Sequence, residues 1–451
     1  MPLGETIVAL STPQGESAIA MIRLSGPLSP SIAEQCFNKQ ACTPRQATLG
    51  TYTALSGQVL DHGVFILYPD ERSYTGEPML EIHCHGNPLI AQKIIEDLVD
   101  RGCRIAEPGE FTRTAFCNKK LDLTQAEAVS DVICARSDRA LSIAHKQLKG
   151  EIGQKISALS STLLSILAEI EAYIDFPEED LPEEDEQALI GKINALASEL
   201  SELIETSRYH ELLREGIKTV IMGAPNAGKS SLMNYLMGEE RAIVSPEAGT
   251  TRDFISERIM IEPYCLQIID TAGLHKAGSD IEARGIEKTL EKVREGDFFL
   301  LIIDSTEPTP ELPSTIFEDL KQSNTLLLIN KVDLPGSSKH EDFLCDFPRT
   351  YISITEGTGL KDLRKKIIQT LESDHVVPSD QQLVVNARQA TVLKQTQGLI
   401  LSALEQFSRD EPVELAASDL KQALERLGDV VGRIDNEAML DELFSTFCIG
   451  K

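Results

Sequence analysis

The chain of 451 residues is 41% hydrophobic and 25% charged, the balance of a globular protein with room for about three domains. Lys and Arg number 43 against 71 Asp and Glu, a formal net charge of −28, so work on RNA would fall to a local basic patch or a more basic partner. The longest uninterrupted apolar run, Phe298–Ile303, has six residues, against the ~18 that a membrane span needs.

At the N-terminus, Met1-Pro2-Leu3-Gly4-Glu5 lacks the basic and apolar regions of a secretory leader, and a cytoplasmic protein is expected. Residues 1–120 then mix short strands (Thr6–Leu10, Ala18–Leu24, Gly63–Tyr68, Met79–His83) with a helix over Pro88–Arg101, an α+β domain. From Leu123 the period becomes helical, through Leu141, Leu148, Ile152, Ile156, Leu159, Leu163, Ile166, Leu167 and Ile170, with Gly150 and Gly153 as candidate interruptions. Residues 175–186 hold eight acids and no base, which predicts a solvated connector in preference to a binding site. A second amphipathic stretch covers Gln187–Leu213. Residues 214–373 alternate apolar runs (Ile217–Met222, Leu266–Ile269, Phe298–Ile303, Thr325–Ile329, Thr350–Ile354) with helical patterns, the signature of a mostly parallel α/β sheet. Helical periodicity returns over 374–451. The economical arrangement is an α/β domain (214–373) inserted between two halves (121–213 and 374–451) of an all-α domain, because each half carries an apolar stripe to bury.

The α/β segment carries the chemistry. Gly223-Ala224-Pro225-Asn226-Ala227-Gly228-Lys229-Ser230 fits G-x-x-x-x-G-K-[ST] and sits between a strand and a helix, as a P-loop must. Its glycines let backbone N–H groups approach a phosphate, Lys229 reaches the β and γ oxygens, and the Ser230 hydroxyl suits Mg²⁺. Asp270-Thr271-Ala272-Gly273 and Asn330-Lys331-Val332-Asp333 each end a strand, at the carboxyl edge where such sheets bind ligands. Asp270 suits the magnesium shell and the Gly273 N–H a γ-phosphate. Asp333 can accept from the N1–H and exocyclic amine that guanine presents and adenine does not, which makes the nucleotide GTP. Thr251, in Gly249-Thr250-Thr251-Arg252-Asp253, is the expected second magnesium ligand. Where many GTPases place a water-orienting Gln, this chain has Leu274, so Glu282 is the candidate for the water. Asn226 offers an oxygen suited to a monovalent cation or, equally, to a plain loop hydrogen bond.

These motifs resemble those of the tRNA modification GTPases of the MnmE (TrmE) family, over essentially the full chain. The terminal Cys448-Ile449-Gly450-Lys451 matches that family's C-[IVL]-G-K tetrad. Ile22-Arg23-Leu24-Ser25-Gly26, Tyr74-Thr75-Gly76-Glu77, His83-Cys84-His85-Gly86, Pro108-Gly109-Glu110-Phe111-Thr112 and Lys120-Leu121-Asp122-Leu123 match as well. The resemblance implies an N-terminal folate-binding domain that dimerises, a helical domain, and an inserted Ras-like G domain. It implies that K⁺, held by Asn226, Thr250 and the Ser245 and Glu247 carbonyls, replaces an arginine finger. The GTP set it gives is Asn226, Ala227, Gly228, Lys229, Ser230 and Ser231, then Ser245, Pro246, Glu247, Ala248, Gly249, Thr250 and Thr251. Asp270, Thr271, Ala272, Gly273, Asn330, Lys331, Asp333 and Ser353 complete it. Arg23, Glu81, Lys120 and Lys451 match the folate site, for a 5-formyl- or methylene-tetrahydrofolate. The implied partner is an FAD-dependent protein (MnmG, also GidA) in a heterotetramer; the charge of −28 leaves tRNA to be held mainly by that partner, and the short apolar runs give no reason to expect a membrane. The resemblance further implies that the two proteins together modify C5 of the wobble uridine, position 34, to an aminomethyl-type (carboxymethylaminomethyl) group.

Three positions depart from the family pattern. Gln14-Gly15-Glu16-Ser17 stands for P-G-R-G, Ser353-Ile354-Thr355 for an S-A signature, and His275 for a commonly basic residue. Nine cysteines without a C-x-x-C suit reduced thiols, and Cys448 stands out beside Lys451, as a nucleophile on C6 of uridine or as part of the folate site. The rival reading is a ribosome-assembly GTPase that binds RNA as a switch. Such proteins carry a basic module, whereas residues 383–451 hold 7 basic and 11 acidic residues and residues 1–120 hold 10 and 13.

Overall fold

The computed structural model describes residues 4–37, 43–175, 183–239, 257–269, 296–310, 320–373, 382–409, 412–432 and 437–450. The chain divides into two compact units, one of residues 1–130, 153–160 and 427–451, the other of residues 131–152 and 161–426.

The first unit is built on a six-stranded sheet of order β3-β4-β5-β2-β1-β6. Its strands are β1 (Ile7–Leu10), β2 (Ser17–Ser25), β3 (Thr48–Thr53), β4 (Val59–Tyr68), β5 (Met79–Gly86) and β6 (Arg104–Ile105). All neighbours are antiparallel except β1 and β6. Alternation along β2 sends Ala20, Ile22 and Leu24 into a core with Ile32, Ala33, Ile94 and Leu98 of the helices Ser29–Cys36 and Pro88–Asp100. Met21 and Arg23 therefore point to the opposite face, and the register sets Arg23 between Ala9 of β1 and Glu81 of β5. The strand β3 was not expected. It is a polar edge strand anchored by Tyr52, whose ring meets Phe37 edge-on and whose hydroxyl donates to Asp97 at 2.8 Å.

In the second unit another six-stranded sheet runs β12-β11-β10-β7-β9-β8. It comprises β7 (Ile217–Gly223), β8 (Glu257–Ile261), β9 (Tyr264–Ile269), β10 (Phe298–Asp304), β11 (Thr325–Asn330) and β12 (Arg349–Tyr351). Only the β8–β9 pair is antiparallel. Every residue of β10 and β11 is buried, as in a sheet covered on both faces. The helices Glu183–Glu205 and Ala387–Ser408 flank this domain in sequence and pack on each other, with Gln397 Nε2 donating to the Ala197 carbonyl at 3.2 Å and to the Ser201 hydroxyl. The fold class is the expected one: an α+β N-terminal domain, helices, and an inserted α/β P-loop domain.

Several local expectations are corrected. Gly150, at φ +84°, separates the helices Asp138–Leu148 and Glu151–Asp175, but Gly153 lies inside the second and breaks nothing. The acidic run is not loop throughout: Asp175 ends one helix and the next begins at Glu183, where a helix N-terminus favours carboxylates. The stretch Gln187–Leu213 is two helices, parted at Thr206. The last strand ends at Tyr351, because Ser353 turns to pair with Thr358. The 25-residue helix Glu151–Asp175, which holds no long unbroken apolar run, nevertheless contains an 18-residue window with a mean hydropathy of 1.2, the length and composition of a membrane span. Ile152, Ile156, Leu159, Leu163, Ile166, Leu167 and Ile170 are all buried in the fold, which is the stripe of a core helix.

Candidate functional site

The central strand β7 ends at Gly223, and the loop from there to the helix Lys229–Glu239 occupies the carboxyl edge of the sheet. Backbone signs alternate sharply here, with Gly223 at φ +152°, Asn226 at +62° and Gly228 at +112°. Gly228 is required by contact as well as by conformation: a Cβ there would lie 2.3 Å from Asn330 Nδ2. That amide donates to the Ala227 carbonyl at 2.8 Å, while Asn330 Oδ1 accepts from the Ile354 N–H at 3.4 Å. One buried side chain thus ties the P-loop to the loop that follows β12. In that loop Ser353 is buried, its N–H donates to Thr358 O at 3.0 Å, and its hydroxyl accepts from Glu356 N at 3.1 Å.

Lys229 folds over the P-loop, its ammonium donating to the carbonyls of Gly223 at 2.9 Å and Ala224 at 2.7 Å. Burial holds its pKa below the ordinary lysine value. Ser230, Ser231 and Asn226 are exposed at the same edge. Lys331, itself at φ +64°, pairs with Asp304 at 2.5 Å. Burial works to raise the Asp304 carboxyl, but Lys331 and two Thr306 donors outweigh it and hold it below its usual value. Asp333 is exposed beyond them, with its carboxylate open to a base. Sequence reading missed Asp304, which stands one residue past the apolar run Phe298–Ile303. Its signal was the strand end it shares with Asn330 in register.

Ser245, Pro246, Glu247, Ala248, Gly249, Thr250, Thr251, Asp270, Thr271, Ala272, Gly273, His275, Glu282 and Lys451 lie outside the described residues. The predicted residues that are described fall into two groups. Asn226 to Ser231, Asn330, Lys331, Asp333 and Ser353 meet at the sheet edge just described.

The other group lies in the first unit. Arg23 pairs with Glu81 at 2.9 Å on the sheet face away from its helices, and Tyr68 OH donates to Glu81 at 3.3 Å. The guanidinium sits over the rings of Tyr74 (5.5 Å) and Phe111 (5.9 Å), a cation–π seat that fixes its orientation. Lys120 is exposed and passes over Gly76, where a Cβ would lie 3.0 Å from its Cε. Cys448 is exposed, and its carbonyl accepts from Gly109 N at 3.4 Å. Ile449 bridges Pro108, and Gly450 O accepts from Ser11 Oγ at 2.9 Å. The tail thus reaches β1, whose Ala9 faces Arg23 across the ladder. Behind it Leu440, Phe444 and Phe447 form a small core with Leu123 and Ala126.

A phosphate-binding loop at the end of the central strand, joined through Asn330 to a guanine-type N-K-x-D motif, defines a GTPase, a hydrolase of GTP. Residues 6–120 match the family described as GTP-binding protein TrmE N-terminus, and residues 123–448 match the MnmE helical domain. The tRNA modification GTPase MnmE of Opitutus terrae is 46% identical over all of both chains. That of Aquifex aeolicus is 40% identical over 99% of this chain and all of its own. Among solved structures, the G domain of the T. maritima FeoB iron transporter is 23% identical, with a TM-score of 0.24 over 35% of this chain and 99% of its own. The chain belongs to the tRNA modification GTPase MnmE family.

Proposed function

We propose that this GTPase is K⁺-dependent and works with an FAD-dependent flavoprotein of the MnmG type. Together they install an aminomethyl-type group at C5 of the wobble uridine, with the one-carbon unit drawn from a tetrahydrofolate. The observation that carries this reading is the seating of Cys448, Ile449 and Gly450 beside the sheet that presents Arg23 and Glu81. A tail fixed there supports a composite site for a small molecule bearing carboxylate and amide groups. Arg23 is an oriented donor and Glu81 an acceptor, which fits the polar edges of a pterin and the acid groups of a folate. A folate held there by Arg23 and Glu81 would supply the one-carbon unit; the chain's part would be to orient it, with Cys448 either a nucleophile on C6 of uridine or part of the folate seat.

At the other site, the Lys229 ammonium, held on the Gly223 and Ala224 carbonyls until a phosphate takes their place, suits an anionic phosphate chain, and the exposed Ser230 hydroxyl suits its magnesium. Asn226, exposed and held in a left-handed turn, would share K⁺ with Thr250 and the carbonyls of Ser245 and Glu247. The cation's chemistry would be charge neutralisation on the β–γ bridge. We place the protein in the cytoplasm without membrane contact, as a homodimer that joins its partner in a heterotetramer. At −28 it leaves most of the tRNA contact to that partner. Mass spectrometry of wobble nucleosides tests the reading in cells lacking this protein, with and without a plasmid copy. Loss of the C5 group, restored by the copy, is expected; an unchanged nucleoside profile refutes it.

A further inference from the structure

Basic side chains across the described residues are repeatedly matched with a carboxylate: Arg23 with Glu81, Arg101 with Asp97, Lys192 with Glu169, Lys218 with Glu211, Lys421 with Glu171. The helix Leu360–Glu372 departs from this pattern. It holds Lys361, Arg364, Lys365 and Lys366 against Asp362 and Glu372, so its sequence charge is 4 − 2 = +2. The next most basic described helices, Asp138–Leu148 and Ala387–Ser408, reach +1 with His neutral. One of its two acids is also engaged, since Glu372 accepts from Tyr264 OH at 3.2 Å.

The helix cannot turn to hide these charges. Leu360, Leu363, Ile367 and Leu371 are buried in the core of the sheet, which fixes the opposite face outward. Lys361, Arg364 and Lys365 are exposed and Lys366 is half-buried. Among the described residues no carboxylate lies within ion-pair distance of Lys361, Lys365 or Lys366. Lys361 and Lys365 stand one turn apart, about 6 Å along the axis. The patch starts two residues after Gly359, at the end of the loop that carries Ser353 beside Asn330.

We infer that Lys361, Lys365 and Lys366 are a contact for the phosphate backbone of tRNA. The inference rests on the tRNA-modifying reading above and deepens it: the partner carries most of the contact, and this helix carries the share that the G domain makes. Ammonium groups on flexible stems act as point charges that neutralise phosphates without reading sequence, as a protein positioned by its partner requires. A membrane-surface helix would show bulky apolar residues on its outer face, and here the large apolar side chains of that helix are spent on the core.

Fluorescence anisotropy with an unmodified tRNA, between ~50 and ~200 mM salt, tests it on the full chain. The triple variant Lys361→Gln, Lys365→Gln, Lys366→Gln is compared with wild type and with Lys93→Gln, an exposed lysine on another helix. At ~50 mM salt the triple variant should bind roughly 10-fold more weakly or worse, with a salt slope smaller by about 2–3. Lys93→Gln and the triple Lys→Arg variant should track wild type, and GTP turnover should be unchanged throughout. An unaltered slope and affinity overturns the inference, as does the absence of wild-type binding at ~50 mM. Weakened binding to polyglutamate with tRNA binding intact would reassign the patch to an acidic protein and overturn it equally. Tight wild-type binding at ~150 mM would refute the partner's larger share and leave the patch standing.

Discussion

Replacing Gly450 by alanine should unseat the tail without touching GTP hydrolysis. Gly450 has φ +93°, a conformation that costs an alanine about 1–2 kcal/mol. Its new Cβ would also meet the Leu10 carbonyl oxygen at 2.4 Å, so the backbone must move. Moving it breaks the Ser11 Oγ to Gly450 O bond, worth about 0.5–1.5 kcal/mol. The seat is therefore weakened by about 2–3 kcal/mol, which at 1.4 kcal/mol per decade is roughly a 30- to 150-fold rise in the undocked population. Hydrogen exchange read by mass spectrometry on the peptide spanning residues 440–450 should accelerate by that factor. Ser11→Ala, which loses only the hydrogen bond, should accelerate it by roughly fivefold, about 1 kcal/mol. Wobble modification should fall with the seat, while GTP turnover stays within about twofold of wild type. Unchanged exchange in Gly450→Ala would show that the tail is held by something else. Full modification with a clearly undocked tail would remove it from the chemistry.

Asn330→Ala strips the only amide donor described at the buried Ala227 carbonyl, a loss of about 1–3 kcal/mol, so titration calorimetry should show GTP affinity down roughly 10- to 100-fold; equal affinity would refute the tie. GTP hydrolysis should run much faster in K⁺ than in Na⁺, and Asn226→Ala should erase the difference; equal wild-type rates in the two salts would sink the cation argument. Glu282→Ala should slow single-turnover hydrolysis by ~10²-fold or more with GTP affinity nearly unchanged, and the reverse pattern would make Glu282 a structural switch residue.

What could be read in advance depended on how local the cause was. The P-loop was legible because its glycines answer to a backbone that must take left-handed turns, and Gly228 proved to be required by a side chain arriving from 102 residues downstream, at Asn330. The strands β10 and β11 were legible because a sheet covered on both faces demands uninterrupted apolar residues. The strand β3 was not, since an edge strand needs only one anchored side chain, Tyr52, and tolerates threonines elsewhere. Asp304 escaped because its partner Lys331 sits on the neighbouring strand end, a juxtaposition set by register. The seat of the tail was legible only as a resemblance: nothing in Cys448-Ile449-Gly450 announces that Ser11 and Pro108 await it.

That seat also puts a clock into the making of the protein. Ser11 and Gly450 are 439 positions apart, and at about 5–20 residues per second a ribosome needs roughly 20–90 s to deliver the second after the first. In that interval the N-terminal sheet and the G domain can each fold, and GTP can already be bound. A chain interrupted before residue 448 would thus have nothing to dock on Ser11 and Pro108, however complete its G domain.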